Sequence, residues 1–412
     1  MSTSTRTANR PKSVLLSILL SFFVVLSLPA YAETLDLKKV PKLKEYAAPN
    51  AEEFKKVTRV EKEVLPYNDD YISYEFRIPK KWTGNSELPE LKGVDGAQGL
   101  SVNVLGILGK YVGAPNNLLR SRIIVEAQDL GYEISAKNWF VNFVLKNGFT
   151  LSGFTEHSRS KLEALYVEVQ DDQPYVVRTL VLINGPRLIM FRYFLPQENY
   201  ESEKLGQAQV TSSFKLLNPV NESIEKQKEF GFLDQSYFNY PISWDFAAKP
   251  IYSIERMSAT MMQKNEKDSP QVLEGQIKLH VISRLLKTTI AEETTKFRDS
   301  VKIDNYTIGK FIENLDFAYD KSIRDGKTQV YELVPSDPVS MKSYEFVVSI
   351  MQGDDFYYIT SLITPSREQD FYNWSRNIEA FRVVTESVRR SNIKIPDIDV
   401  KDPYYDYMKE AQ

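Results

Sequence analysis

The sequence predicts an α+β protein of two tandem repeats, each an antiparallel β-sheet flanked by α-helices. Three observations predict it. An aromatic strand runs into Pro-x-x-Trp twice, at Tyr74–Trp82 and at Tyr237–Trp244. A hairpin of two apolar runs, with a glycine near its turn and a proline closing its second strand, also occurs twice, at Tyr175–Pro196 and Tyr344–Pro365. The intervals agree, because 103 residues separate Trp82 from Gly185 and 109 separate Trp244 from Gly353. A period of this length is a domain repeat rather than a solenoid repeat, and 412 residues leave room for two such units.

Taken in order, the chain opens with a segment to be set aside before any fold reasoning. Arg6, Arg10 and Lys12 precede an apolar run from Ser13 to Leu28, and Ala30-Tyr31-Ala32 places small residues where a signal peptidase reads. Residues 1–32 are therefore expected to be a signal peptide cleaved after Ala32, since the run is short of the roughly 20 residues that cross a bilayer. Residues 33–68 read as a charged leader in which Val57–Val64 has strand character.

The first unit, 69–217, begins with the strand ending at Pro79. Ser135 is placed to cap a helix that buries Trp139, Phe140, Phe143 and Val144, and Asn147-Gly148 is placed to end it. Lys161–Gln170 is a strand closed by Asp171-Asp172. Asn184-Gly185 suggests a type I′ hairpin turn, and Tyr200–Phe214 a helix interrupted by Gly206. Residues 218–232 form a linker.

In the second unit, 233–392, Thr289–Asp304 is the matching helix, with Phe297 and Val301 one turn apart. Asp325-Gly326 marks a turn before the strand Thr328–Val334. Phe371, Trp374, Ile378 and Phe381 recur along one face of a final helix. Residues 393–412 are a Tyr-rich tail.

Composition narrows the function. The chain is 42% hydrophobic and 26% charged and contains no Cys, so neither disulfides nor thiol chemistry are available to it. Without residues 1–32, 49 basic residues face 55 acidic ones, a net charge of −6 that disfavours nucleic acid. The destination expected is a bacterial periplasm or the exterior.

No catalytic pattern rises above background. His157 and His280 are the two histidines, no Gly-x-Ser-x-Gly presents a nucleophile, and a zinc site lacks ligands. Asp397-x-Asp399 lacks the remaining positions of a calcium loop. Asp171-Asp172 and Asp354-Asp355 fall at turns, where Asp is favoured for local hydrogen bonding. Lys80-Lys81 and Arg389-Arg390 are isolated pairs. Trp82 and Trp244 read as core. The Gly-rich Leu100–Val112 and the Met-rich Ile254–Gln263 are candidate surfaces or internal strands. The reading is of no catalytic, cofactor or metal site.

The order of elements, from the aromatic strand into Pro-x-x-Trp through the mid-chain helix and the hairpin ending in Pro to the closing helix, resembles the PsbP-like fold. That fold is shared by photosystem II extrinsic subunits, a Ran-pathway transport factor and small bacterial envelope proteins, and the resemblance spans 69–217 and 233–392. It implies a binding or assembly module. Bacterial members are often lipoproteins, whereas this chain has no lipid-bearing Cys after its apolar run. No family site residue carries over.

The expectation is thus an exported, non-catalytic envelope protein with another envelope protein or complex as partner. Tyr404, Tyr405 and Tyr407 of the tail are candidate partner contacts, because Tyr is amphipathic and favoured at interfaces. A carboxylate hydrolase with an inter-domain cleft and a carrier of a lipid or other small ligand are the alternatives.

Overall fold

The computed structural model describes residues 39–46, 50–85, 106–113, 120–247, 249–263, 274–303, 306–335 and 343–391. The signal segment, Asp397 and Asp399, residues 100–105 and Tyr404, Tyr405 and Tyr407 lie outside the described residues.

The described chain is mixed α/β, with five helices and antiparallel strand pairing. Its first half contains α1 (Ala51–Val57), β1 (Thr58–Glu63), β2 (Tyr74–Pro79), β3 (Thr83–Asn85), β4 (Gly106–Val112), β5 (Arg122–Asp129) and α2 (Ala136–Asn147). It continues through β6 (Thr150–Ser158), β7 (Lys161–Gln170), β8 (Gln173–Asn184), β9 (Arg187–Pro196), α3 (Tyr200–Ser212) and β10 (Lys215–Leu216). The second half contains β11 (Gln227–Phe232), β12 (Ser236–Pro241), β13 (Trp244–Phe246), β14 (Ile251–Tyr252), β15 (Arg256–Gln263), β16 (Gln276–Ser283) and α4 (Ile290–Ile303). It ends with β17 (Tyr306–Leu315), β18 (Ile323–Pro335), β19 (Tyr344–Gly353), β20 (Phe356–Pro365), α5 (Phe371–Ser387) and β21 (Arg389–Arg390).

In the first half a large sheet has the order β3-β4-β5-β9-β8-β7-β6 and a small one β1-β2-β10. In the second the orders are β13-β15-β16-β20-β19-β18-β17, with β14 added beside β15, and β11-β12-β21. Each large sheet is covered on both faces, which is why its central strands read as nearly unbroken apolar runs. Tyr74 and Phe76 of β2 with Val210 of α3 pack on Ile123, Val125 and Phe191 on one face of the first sheet. Trp139, Phe140 and Val144 of α2 pack on Ala164 and Tyr166 on the other. In the second half Phe238 of β12 and Trp374, Ile378 and Phe381 of α5 cover one face, and Phe297 and Val301 of α4 the other. Complete burial of a side chain such as Phe381 stabilises by about 2–3 kcal/mol.

Trp82 and Trp244 are core residues, as read, and Trp82 meets Tyr193 edge-on at 5.3 Å. Met257 and Met261 of the Met-rich stretch are buried on β15, while Met262 is exposed.

Two local expectations are corrected. The turn between β8 and β9 is not type I′: Asn184 pairs with Arg187 in the ladder, so the two loop residues are Gly185 and Pro186. Gly185 has φ of 55°, and proline is locked near −65°, the pattern of a type II′ turn. Positive φ at both loop positions is found instead at Asp171 (48°) and Asp172 (60°), between β7 and β8. Asp325-Gly326 is no turn but part of β18, beside a register shift at Ile323/Asp325. A Cβ on Gly326 would sit 2.5 Å from the Tyr319 ring, so glycine lets that ring lie against the strand.

The charged leader is also more ordered than its composition suggests. Its β1 pairs with β2, and the backbone carbonyl of Pro41 accepts a hydrogen bond from the Phe154 N–H of β6 at 3.1 Å.

Candidate functional site at the junction of the two halves

Helix α2 starts where the Ser135 hydroxyl accepts the Asn138 N–H, and it stops at Gly148, whose φ is 66°. Between these caps Trp139, Asn142, Phe143, Lys146 and Asn147 recur at the i, i+3, i+4, i+7, i+8 spacing that puts them on one stripe. A purely core-facing stripe would be apolar throughout. This one mixes rings with amides and a lysine, and together with Tyr132 and Gln128 before α2 and Tyr372 at the start of α5 it lines a cleft of about 210 Å³.

The rings are ordered. Trp139 and Phe143 stack at 5.4 Å with 12° between planes, and Tyr132 meets Tyr372 edge-on at 5.4 Å. Two cations bracket the tyrosines. Lys146 Nζ lies 4.8 Å above the Tyr372 ring, and the Arg376 guanidinium lies 4.1 Å from Tyr132 and 5.4 Å from Tyr372. Such contacts are worth about 0.5–1 kcal/mol each when exposed and more when desolvated. Burial raises the Tyr132 phenol well above its ordinary range, so it stays a neutral donor.

Behind the cleft the halves are fastened by polar groups. Glu133 and Glu225 exchange backbone bonds: the Glu133 N–H donates to Glu225 Oε1 at 3.3 Å and the Glu225 N–H to Glu133 Oε1 at 3.4 Å. Glu225 also accepts from the Ser243 N–H at 3.0 Å and its hydroxyl at 2.9 Å. Arg159 Nε donates to Glu379 of α5 at 2.7 Å. Burial pushes the Glu133 carboxyl up to about 7, against the pull of Arg159 and with the repulsion of Glu225 and Glu379. Glu225 is raised by burial as well.

A carboxyl held near neutrality can act as a general acid, so this pair bears directly on the hydrolase alternative. Both residues are less than a tenth exposed, and both Glu225 oxygens and the Glu133 Oε1 accept from backbone or serine donors. Neither lines the cleft. Their geometry is that of a fastening.

The remaining residues singled out in the sequence are placed as follows. His157 is exposed on β6, 3.4 Å from Glu163. His280 packs edge-on against Phe297 at 5.1 Å and is pushed down to about 4 by burial and by Lys278 and Arg256. Asp354 pairs with Arg324, Asp355 with Arg390, and Arg389 with Glu229. Among the described residues no cluster of three or more His, Cys, Asp or Glu is arranged to hold a metal. The structure therefore brings none of these residues to the cleft. The cleft was not anticipated from sequence, though the mixed stripe on α2 was the available signal.

No family profile matches the chain, and no curated protein matches it in sequence. Among solved structures it is similar to cyanobacterial PsbP (CyanoP) from Synechocystis sp. PCC 6803, at 15% identity over 39% of this chain and 92% of that one, with a TM-score of 0.24. It is also similar to the Tle4–Tli4 complex, at 8% identity over 77% of this chain and 95% of that one, TM-score 0.21. A third is the apo immunity protein TplEi of the T6SS from Pseudomonas aeruginosa, at 8% identity over 68% of this chain and 94% of that one, TM-score 0.20.

Proposed function

We propose that this chain is an exported, non-catalytic binding protein of a bacterial cell envelope, built of two tandem PsbP-like units, and that it docks a protein partner at the cleft between α2 and α5. The observation that carries the docking reading is the make-up of the cleft. It offers aromatic faces with polar tips and an exposed lysine, drawn from both halves, and aromatic residues of this kind dominate the energetics of protein interfaces. The cleft is also smaller than the roughly 300–1,000 Å³ that encloses a drug-sized ligand, which favours one anchoring side chain of a protein over a carried small molecule.

The tandem reading is supported by the strand orders. β3-β4-β5-β9-β8-β7-β6 and β13-β15-β16-β20-β19-β18-β17 correspond position by position, as do β1-β2-β10 and β11-β12-β21. Export rests on the basic, apolar and Ala-x-Ala order of residues 1–32, and Tyr404, Tyr405 and Tyr407 remain candidates for a second contact with the partner.

Asn142→Arg tests the docking reading, because it fills the cleft from a half-buried position without opening a core. Recovered from the envelope of its native host, the variant is expected to lose a co-purifying protein that accompanies the wild type, at an unchanged melting temperature. Retention of that protein at the wild-type ratio would contradict the reading.

A further inference from the structure

Of the side chains that line the cleft between α2 and α5, Lys146 is charged and none is acidic. Lys146 is exposed, lies over the Tyr372 ring and forms no ion pair with a described residue. Gln128 enters the cleft from β5 and is only 4% exposed, yet its side-chain amide hydrogen-bonds to no described residue. The same holds for the amide of Asn142, one turn from Lys146 on α2. A buried amide without a partner lowers stability, and a group that enters the cleft and bonds to it removes that cost.

The acids nearest these residues are already engaged. Glu126, two residues before Gln128, pairs with Arg192 at 2.6 Å, and Asp129 with Arg187 at 2.5 Å. Glu156 holds Lys137 at 2.8 Å. Asp370 caps α5 by accepting the Asn373 N–H at 3.0 Å and its Nδ2 at 2.8 Å. Glu368 is exposed ahead of α5 and does not line the cleft. The two helix ends that meet here, the C-terminal end of α2 and the N-terminal end of α5, carry partial charges of opposite sign. The lysine is left without a counter-charge inside the cleft.

We propose that the group a partner seats in this cleft is a carboxylate, the side chain of one Glu or Asp. The inference rests on the docking reading and names the chemistry of its anchor. An ionised carboxylate accepts hydrogen bonds and donates none, so it can take the Lys146 ammonium and the amide N–H groups of Gln128 and Asn142 together, and charge-assisted bonds are the strong ones. The rings of Trp139, Phe143 and Tyr372 supply apolar walls for its methylene stem. A basic anchor would oppose the lysine, and an apolar one would close the cleft with the Gln128 amide still unbonded.

Carbodiimide coupling in envelopes of the native host tests this, because the reagent joins an amine to a carboxyl group in contact with it. The carboxyl carbon bonds to the Lys146 nitrogen, and the elements of water pass to the carbodiimide, which leaves as a urea. Mass spectrometry is expected to find an amide between Lys146 Nζ and a Glu or Asp of another protein. Lys146→Gln should weaken retention of that protein by about tenfold at an unchanged melting temperature, and Lys146→Arg should retain it. Asn142→Trp, which fills the cleft without adding charge, should abolish retention. If Asn142→Trp releases the protein while Lys146→Gln retains it and no amide forms at Lys146, the carboxylate is overturned and the docking reading stands. Tighter retention by Lys146→Glu would overturn it in favour of a basic anchor. Full retention by Asn142→Trp would overturn both readings.

Discussion

Glu133→Gln isolates the energetics of the junction. In the folded protein the Glu133 carboxyl is less than a tenth exposed and faces Arg159 from the β6–β7 turn, Glu225 from the connecting segment and Glu379 from α5. The balance moves it from the ordinary 4.5 to about 7. A carboxyl whose folded value lies above its unfolded value holds its proton more tightly when folded. Its stabilising effect is complete below 4.5, fades as pH rises through that window, and is gone above about 7. A displacement of this size corresponds to about 3 kcal/mol. Glutamine keeps the oxygen that accepts the Glu225 N–H and cannot ionise. The variant should match the wild type within about 0.5 kcal/mol at pH 4 and exceed it by about 3 kcal/mol at pH 8. Urea denaturation followed by tryptophan fluorescence at both values measures the difference. An offset independent of pH would refute the assignment of that proton to Glu133.

Removing the cap of α2 with Ser135→Ala should cost about 1 kcal/mol, read as a lowered urea midpoint with unchanged slope. Gly185→Ala combines a left-handed φ with a Cβ placed 2.8 Å from the Tyr71 ring, and a loss of about 1–3 kcal/mol is expected, whereas the same change at Gly206, where a Cβ meets nothing within 4 Å, should stabilise α3. Mass spectrometry of the protein recovered from its host should find a chain beginning at Glu33; a mass that includes Met1–Ala32 would show the segment retained.

What could be read from sequence was local. Ser135 and Gly148 announce α2 because capping is decided within a few residues, and the Pro-closed strands β2, β9, β12 and β20 carry their own stop signals. The Phe371, Trp374, Ile378 and Phe381 face was legible because one helix buries one stripe. The fastening was not, because Glu133 and Glu225 lie 92 residues apart, and each alone is an ordinary acidic residue. The turn type at Gly185 was misread because Asn-Gly dominates a dipeptide reading, while the ladder's register shifts the loop by one residue onto Gly-Pro. Asp325-Gly326 has turn composition, yet the Tyr319 ring requires glycine inside a strand. The cleft shares this difficulty, since its aromatic stripe on α2 gains meaning only when Tyr372 arrives from the other half.

Site-specific photocrosslinking in the native host reads out whether the cleft between α2 and α5 receives a protein partner. A photoreactive phenylalanine analogue placed at Asn142 or Lys146 should yield one dominant crosslinked protein, and the same analogue at Lys161, on β7 away from the cleft, should not. Crosslinks absent from both cleft positions while the protein is folded and correctly localised, or the same product from Lys161, would contradict it.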